Sequence, residues 1–258
     1  MGLSTAQGKE AGRVPLPLTS RHDTWWIRPL VTLLVLGTFV IYATWRGLEN
    51  QFYEVGPYLS PFYSPLLPIR LDIAGWAISP AVYIILFPLS FRLTCYYYRL
   101  AYYRAFFWDP PACAVQELAA RKHYTGERQF PFVLQNIHRF AFYIAVIFIF
   151  ILSYDAIRAF FFNGQFGIAV GSLIFLINVV LLALYTFSCH SFRHLIGGRI
   201  NCYSCTLRNR TRYSIWQRVS QLNERHGLFA WASLIAVGLT DLYVRLVASG
   251  AIHDVRFF

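Results

Sequence analysis

Two histidines four residues apart, His190 and His194, have a spacing that suits a metal centre. They follow a long apolar run, and on a continuing helix they would lie on one face, one turn apart. Two imidazoles in that arrangement can bind one metal ion or one iron–sulfur cluster. The alternative is that both lie at the level of the lipid head groups and hydrogen-bond water or phosphate.

Thiolates for such a centre could come from two places. Cys202 and Cys205 form a CxxC, a common spacing in zinc and cluster sites, whereas Cys95 and Cys113 bracket a tyrosine-rich segment nearer the membrane. The spacing in the sequence favours Cys202 and Cys205 as ligands, whereas the expected depth in the membrane favours Cys95 and Cys113. Cys189 is the fifth cysteine. Two cysteines with two histidines match a Rieske-type [2Fe–2S] centre. Zinc bound by the CxxC and the two histidines is the alternative, and a disulfide framework is not expected because no secretory signal precedes the cysteines.

Haem is a further alternative for the histidines. A cytochrome b with two haems needs axial ligands at two depths, and this chain has no histidine in the middle of an apolar run. A single haem b bound between two of His138, His190 and His226 therefore stays open, without an obvious pair.

The composition is that of a membrane protein. Of 258 residues, 57% are hydrophobic and 14% are charged, against roughly 25% charged in a soluble domain. The net charge of +11 lies in loops between apolar runs rather than on one basic face, which argues against nucleic acid. These features predict an all-α integral membrane protein.

Five apolar runs predict five transmembrane helices in one bundle. Residues 1–28 form a polar tail and residues 29–258 the membrane domain. The predicted spans, with approximate ends, are Pro29–Trp45, Asp72–Leu93, His138–Phe162, Gly167–His190 and Gly227–Ala248.

Positive charge sets the predicted topology. Eighteen of the 23 Lys and Arg residues lie in the N-terminal tail and in the loops that follow the second and fourth spans. Because cytoplasmic loops carry the excess of basic residues, the N-terminus is predicted to be cytoplasmic and the C-terminus outside a plasma membrane. All five cysteines then lie at or beyond cytoplasmic helix ends.

A quinone pocket needs an apolar slot, a few donors and a proton source. Five residues near the predicted cytoplasmic ends of the helices could converge there. The alternatives are contact with lipid phosphate for Arg139 and anchoring at the membrane interface for Trp231. His138 is the preferred proton donor. The five are His138, Arg139, His226, Trp231 and Tyr98.

The fifth span also carries charge, because Asp241 and Arg245 lie four residues apart in it. An ion pair between them, or a link to Asp155 and Arg158, would stabilise these buried groups without a catalytic role. A proton path from the outer face is the functional alternative.

Several segments resemble one known family, the single-chain membrane anchor of actinobacterial-type succinate dehydrogenase (respiratory complex II), over nearly the whole chain from Trp25 onward. The segments that carry the resemblance are Tyr58–Pro65, Thr94–Arg99, Pro110–Val115, Gln135–Arg139, Ser188–His190, Arg193–His194, Leu222–Asn223 with His226, and Asp241–Val244.

The resemblance implies a subunit of a succinate:quinone oxidoreductase that holds no complete active site of its own. It implies docking onto an iron–sulfur subunit that is paired with a flavoprotein, in a complex that could form a higher oligomer, and electron delivery to menaquinone or ubiquinone among the membrane lipids. It also implies a haem-free anchor with a Rieske-type cluster, for which Cys95, Cys113, His190 and His194 are the expected ligands.

Three other functions remain as alternatives. The first is a haem b-bearing cytochrome b anchor of a fumarate reductase-like complex, and the second is a structural anchor without a redox centre. A transporter or channel is disfavoured because few polar residues lie along the spans.

Overall fold

The computed structural model describes residues 21–67, 71–73, 76–108, 112, 115 and 132–258. Within these residues the chain is mainly helical. The α-helices are α1 Ile27–Glu49, α2 Pro80–Thr94, α3 Tyr96–Phe106, α4 His138–Arg158, α5 Val170–Phe187, α6 His190–Gly197, α7 Leu207–Glu224 and α8 His226–Ala248, and a 3₁₀ helix spans Phe132–Ile137. The antiparallel hairpins are β1 Glu54–Val55 with β2 Tyr58–Leu59, β3 Leu71–Ile73 with β4 Trp76–Ile78, and β5 Phe161–Phe162 with β6 Gln165–Phe166.

Four helices are long and apolar enough to cross a membrane by themselves: α1, α4, α5 and α8. Helices α2 and α3 pass the same test only together, as a pair bent by 85°. The described residues therefore provide four spans, or five if the bent pair crosses as one.

The second predicted span begins later than the sequence suggested. The prediction that its helix starts near Asp72 is wrong, because Leu71–Ile73 pairs with Trp76–Ile78 as strands β3 and β4, and α2 starts at Pro80. The Ser79 hydroxyl caps this helix by accepting a hydrogen bond of 3.3 Å from the amide of Ala81. Proline at the first helical position costs no hydrogen bond there, so the start of α2 is well defined.

Some segments expected to be loops are helical. The tyrosine-rich segment after the second span forms α3, and the predicted loop from Arg193 to Arg225 contains the end of α6 and all of α7. Helix α7 is polar, so hydropathy does not reveal it, and its start is fixed by the Thr206 hydroxyl, which accepts from the amide of Asn209 at 3.2 Å.

The chain divides into two compact units. In the first, residues 1–36 and 100–124, the described part packs Trp25 edge-on against Trp108 with ring centroids 5.8 Å apart. The second, residues 37–99 and 125–258, holds the helical bundle, in which α5 packs along α8 and α4 contacts both α2 and α5.

A buried set of charges joins the end of α1 to α8. Arg46 donates from Nε to Asp241 at 2.8 Å and from Nη1 to Glu49 at 2.5 Å, and Arg245 donates to Glu49 at 2.7 Å. We call these four residues the arginine–aspartate network. The expected pairing of Asp241 with Arg245 is wrong, because each of them binds a residue of α1 instead.

The other acid of the spans, Asp155 of α4, is also buried. Its carboxylate accepts a hydrogen bond from the hydroxyl of Ser64, in the segment that follows β2. The loop between α1 and α2 thus supplies a polar partner for a buried carboxylate, which lowers the cost of burying it.

Candidate functional site

Two thiols and two imidazoles meet where four helical connections come together. Cys95 lies between α2 and α3 and Cys189 between α5 and α6, while His138 and His226 are the first residues of α4 and α8. The Nε2 atom of His226 lies 3.5 Å from the sulfur of Cys95, and that of His138 lies 3.1 Å from the sulfur of Cys189. We call these four residues the cysteine–histidine cluster.

Local backbone geometry places the two cysteines at these breaks. Cys95 ends α2 with extended dihedral angles (φ −66°, ψ 126°), and Cys189 precedes α6 in a similar conformation (φ −65°, ψ 145°). A residue outside the helical spiral can direct its side chain inward although its neighbours point outward. The two thiols are accordingly 3% and 1% exposed.

Each imidazole is held by a hydroxyl and by an aromatic ring. The Nδ1 atom of His138 lies 2.8 Å from the hydroxyl of Thr94, and its ring stacks on Phe91 at a centroid distance of 4.8 Å. His226 repeats the arrangement. Its Nδ1 atom lies 2.7 Å from the Ser188 hydroxyl, and its ring stacks on Tyr185 at 5.1 Å.

Burial keeps the cysteines neutral when no metal is present. Burial, together with the nearby Cys95 thiol, raises the pKa of Cys189 to about 12. A thiolate is the form that binds iron or zinc, so metal binding at this position must release a proton.

The cluster lines a cavity of about 1130 Å³ that opens to the surface. Four of the five residues predicted to bind quinone line this cavity: His138, Arg139, His226 and Trp231. The indole nitrogen of Trp231 donates to the hydroxyl of Tyr97 at 3.0 Å. The fifth predicted residue, Tyr98, is buried beside the cavity, where its hydroxyl donates to the carbonyl of Ala230 at 2.6 Å.

The histidine pair that the sequence emphasised lies on α6. His190 and His194 do share one helix face, with their Nε2 atoms 2.9 Å apart, and both are exposed. His190 lines the cavity, and burial together with His194 lowers its pKa. The imidazole that contacts Cys95, however, is that of His226.

The remaining cysteines separate into two cases. Cys113, an expected ligand, lies outside the described residues. Cys202 and Cys205 form a disulfide, so the expectation of free thiols or zinc ligands at the CxxC is wrong. In the described part of the chain, no three His, Cys, Asp or Glu side chains are grouped to hold a single metal ion.

Sequence reasoning left Cys189 as an alternative ligand beside the preferred Cys95 and Cys113, and it considered His138 and His226 for quinone or haem. A repeated dipeptide could have revealed the site, since Thr94-Cys95 and Ser188-Cys189 each place a hydroxyl before a cysteine at the end of an apolar run. In both cases the hydroxyl contacts one histidine and the cysteine contacts the other.

Comparisons with known proteins agree on one family. The model of the actinobacterial succinate dehydrogenase subunit SdhC matches residues 27–250. Among solved structures, the chain is similar to one in the Mycobacterium smegmatis Sdh1 complex in the apo form, with 47% sequence identity and a TM-score of 0.83 over 95% of this chain and 97% of that chain. A comparison with curated protein sequences gives no significant match.

The family match covers most of the chain, including the four helices that contain a span and the whole cysteine–histidine cluster. The chain therefore belongs to the actinobacterial succinate dehydrogenase SdhC family, and it is the membrane anchor subunit of a succinate dehydrogenase, a multi-pass protein of the plasma membrane.

Proposed function

We propose that this anchor passes electrons from a docked iron–sulfur subunit, through a Rieske-type [2Fe–2S] cluster bound in the cysteine–histidine cluster, to quinone. The observation that carries the proposal is the meeting of two thiols and two imidazoles, each from a different helical connection, in one buried place. Such a cluster, when bound, takes up and releases one electron at a time.

The donor set fits a cluster of two irons. A Rieske-type centre takes two cysteines on one iron and two histidines on the other, so each iron needs only two protein ligands. Cys95, Cys189, His138 and His226 supply that set, and all four line the same cavity. A single zinc ion would need three or four convergent ligands, which the described residues do not group.

This ligand set differs from the one that the resemblance implied. The two sets share Cys95, but Cys189 replaces Cys113, and two histidines that begin spans replace the pair on α6. The His190–His194 pair is exposed, whereas Cys95, Cys189 and His226 are buried, and the shell around a metal site controls the access of water to it. Under our proposal the α6 pair binds no cluster.

Quinone would bind in the open part of the same cavity. Arg139 lines it and carries donors that suit a quinone oxygen, and Trp231 contributes its ring to the wall, because its one N–H is donated to Tyr97. Tyr98 stabilises the wall through its bond to the Ala230 carbonyl. A shared cavity keeps the distance for electron transfer short. Either menaquinone or ubiquinone fits these donors, and His138 and His226 then serve the cluster.

The proposed topology has five spans with the N-terminus in the cytoplasm. It treats the bent pair α2–α3 as the second span, and it rests on the excess of Lys and Arg in the tail and in the loops after the second and fourth spans. The cysteine–histidine cluster is then at the cytoplasmic side, where soluble subunits dock.

The complex would contain the partners that the similar structure suggests. The basic loops around the cluster favour a partner with an acidic face, which we propose is the iron–sulfur subunit carrying the flavoprotein. Membrane lipids surround the spans, and the complex could assemble into a higher oligomer.

The test is EPR with an optical spectrum on the detergent-purified complex. We expect a reduced-state signal of low average g and no haem band. The signal should disappear in Cys189→Ser and in His226→Ala but persist in His194→Gln, which serves as the matched control. Loss of the signal in His194→Gln with its retention in Cys189→Ser would restore the first ligand set. A haem band without such a signal would contradict the cluster altogether.

A further inference from the structure

Each of the two histidines of the cluster has a hydroxyl group in contact with its Nδ1 atom. Thr94 lies 2.8 Å from Nδ1 of His138, and Ser188 lies 2.7 Å from Nδ1 of His226. In both cases the hydroxyl belongs to the residue just before a cysteine of the cluster. Each hydroxyl therefore comes from one helical connection and contacts the imidazole that begins another helix.

The direction of these hydrogen bonds follows from counting hydrogens. Thr94 donates its hydroxyl hydrogen to the carbonyl of Ser90 at 2.7 Å, and Ser188 donates its own to the carbonyl of Tyr185 at 3.1 Å. A hydroxyl has one hydrogen and two lone pairs, so a hydroxyl that donates to its helix carbonyl accepts from the imidazole. In this arrangement both histidines have their hydrogen on Nδ1.

The other ring nitrogen is consequently the one with a free lone pair. In a neutral imidazole with hydrogen on Nδ1, Nε2 is the acceptor and the metal-binding atom. In both histidines Nε2 is also the atom that faces a cysteine sulfur. A 180° flip of either ring would put carbon atoms in place of both nitrogens and lose the hydroxyl contact and the sulfur contact, so these contacts fix the ring orientation.

We propose that Thr94 and Ser188 are positioning residues that fix both histidines as Nε2 ligands and lower the reduction potential of the cluster. This inference rests on the proposed function, because it assigns a role toward the [2Fe–2S] centre. The physical reason is that an N–H that donates to a good acceptor makes the imidazole a stronger electron donor. A stronger donor stabilises the oxidised irons more than the reduced ones, which moves the potential down.

The experiment compares matched hydroxyl deletions in the whole complex. The test variants are Thr94→Val and Ser188→Ala, singly and together. The controls are Thr240→Val and Ser153→Ala, whose hydroxyls donate to the carbonyl four residues earlier, at 2.8 and 2.6 Å, as that of Thr94 does, while Ser188 donates to the carbonyl three residues earlier. Neither control hydroxyl contacts an imidazole among the hydrogen bonds of the described residues, so the controls remove the same helix bond without the effect on a ligand.

The readout is the midpoint potential of the cluster, from a redox titration followed by EPR. We expect an upward shift in each test variant, a larger shift in the double variant and none in the controls. Thr94→Ser and Ser188→Thr, which keep a hydroxyl, should return the wild-type potential. If Thr94→Val loses the cluster while Thr94→Ser keeps it, the hydroxyl is needed for the cluster to be bound at all, and this result also supports the positioning role.

Three results would overturn the inference. Test variants that keep the cluster at the wild-type potential would contradict it while leaving the proposed function intact, and so would equal shifts in test and control variants. A wild-type complex with no [2Fe–2S] signal would overturn the proposed function and this inference together.

Discussion

The bundle buries two polar regions, and they differ in chemistry. In the arginine–aspartate network the groups are formally charged and are held in contact by ion pairs and hydrogen bonds. In the cysteine–histidine cluster the groups are neutral, and they face a cavity that opens to the surface. The two regions share helix α8, where Asp241 follows His226 by 15 residues, or about 22 Å.

The difference shows what each region can do. The carboxylate of Asp241 accepts from Arg46, from the Tyr42 hydroxyl at 2.5 Å and from the Ser60 hydroxyl. Its acceptor capacity is largely used, and these bonds hold α1 and the following loop against α8. The thiols and imidazoles of the cluster keep their ligand lone pairs for an incoming group, which is the property of a binding site.

Breaking the charged region should have the largest effect on stability. Asp241→Leu leaves Arg46 buried without its main partner, and removing one member of a buried ion pair costs about 3 to 5 kcal/mol. We expect a clearly lower midpoint of thermal unfolding for the purified complex. The EPR signal of the folded fraction should be unchanged, because the cluster lies at the other end of α8.

The matched control removes both charges. Arg46→Met with Asp241→Leu leaves no unpaired buried charge, so most of the lost stability should return. A double variant as unstable as the single one would show that the pair itself stabilises the bundle. A proton path through Asp241 would instead appear as loss of quinone reduction in the double variant at normal stability.

Two glycines allow the same perturbation to be made in each half of the bundle. A Cβ at Gly171 would lie 2.5 Å from the ring of Tyr58, and one at Gly227 would lie 2.7 Å from the ring of Tyr97. Overpacking of this kind costs about 1 to 3 kcal/mol. We expect Gly171→Ala to lower stability alone, since Tyr58 is held by its bond to Asp254 at 2.5 Å.

Gly227→Ala should affect quinone binding as well as stability. The added methyl displaces Tyr97, which accepts the hydrogen bond of Trp231 in the cavity wall. The expected result is a higher KM for quinone, measured by succinate:quinone reductase assays on the complex. Gly37→Ala is the control, because no atom of the residues that the structure describes lies within 4 Å of its added methyl. An unchanged KM in Gly227→Ala would show that the position of Trp231 does not affect quinone binding.

The spans were largely predictable from the sequence, because length and apolarity alone define a candidate span. The predicted fifth span, Gly227–Ala248, starts one residue after α8 and ends at the same residue. The second span was less predictable, since the hairpin before Pro80 contains apolar residues that read as a continuing helix. Helix α7 escaped prediction because it is polar and depends on its cap at Thr206 rather than on hydropathy.

The site was harder to predict than the spans because it depends on where helices stop. His190 is exposed and Cys189 is 1% exposed, although they are neighbours in sequence. On one continuous helix such neighbours would point about 100° apart, but here Cys189 is outside the helix in an extended conformation. The i, i+4 spacing of the histidines on α6 was predicted and is present, but it carried no information on depth.

The disulfide gives the smallest expected effect and a final contrast between spacing and depth. Cys202 and Cys205 have the better ligand spacing, yet Cys205 is exposed, Cys202 is only partly buried, and the two are bonded to each other. Their loop is also held by Asn209, which donates to the carbonyl of Cys202 at 2.8 Å. Cys202→Ser with Cys205→Ser should cost no more than about 2 kcal/mol, because the closed loop is short. The EPR signal and quinone reduction should be the same as in the wild-type complex. A lost signal in this double variant would mean that the pair is reduced in the cell and binds iron, and the cluster would then belong to the loop rather than to the helix ends.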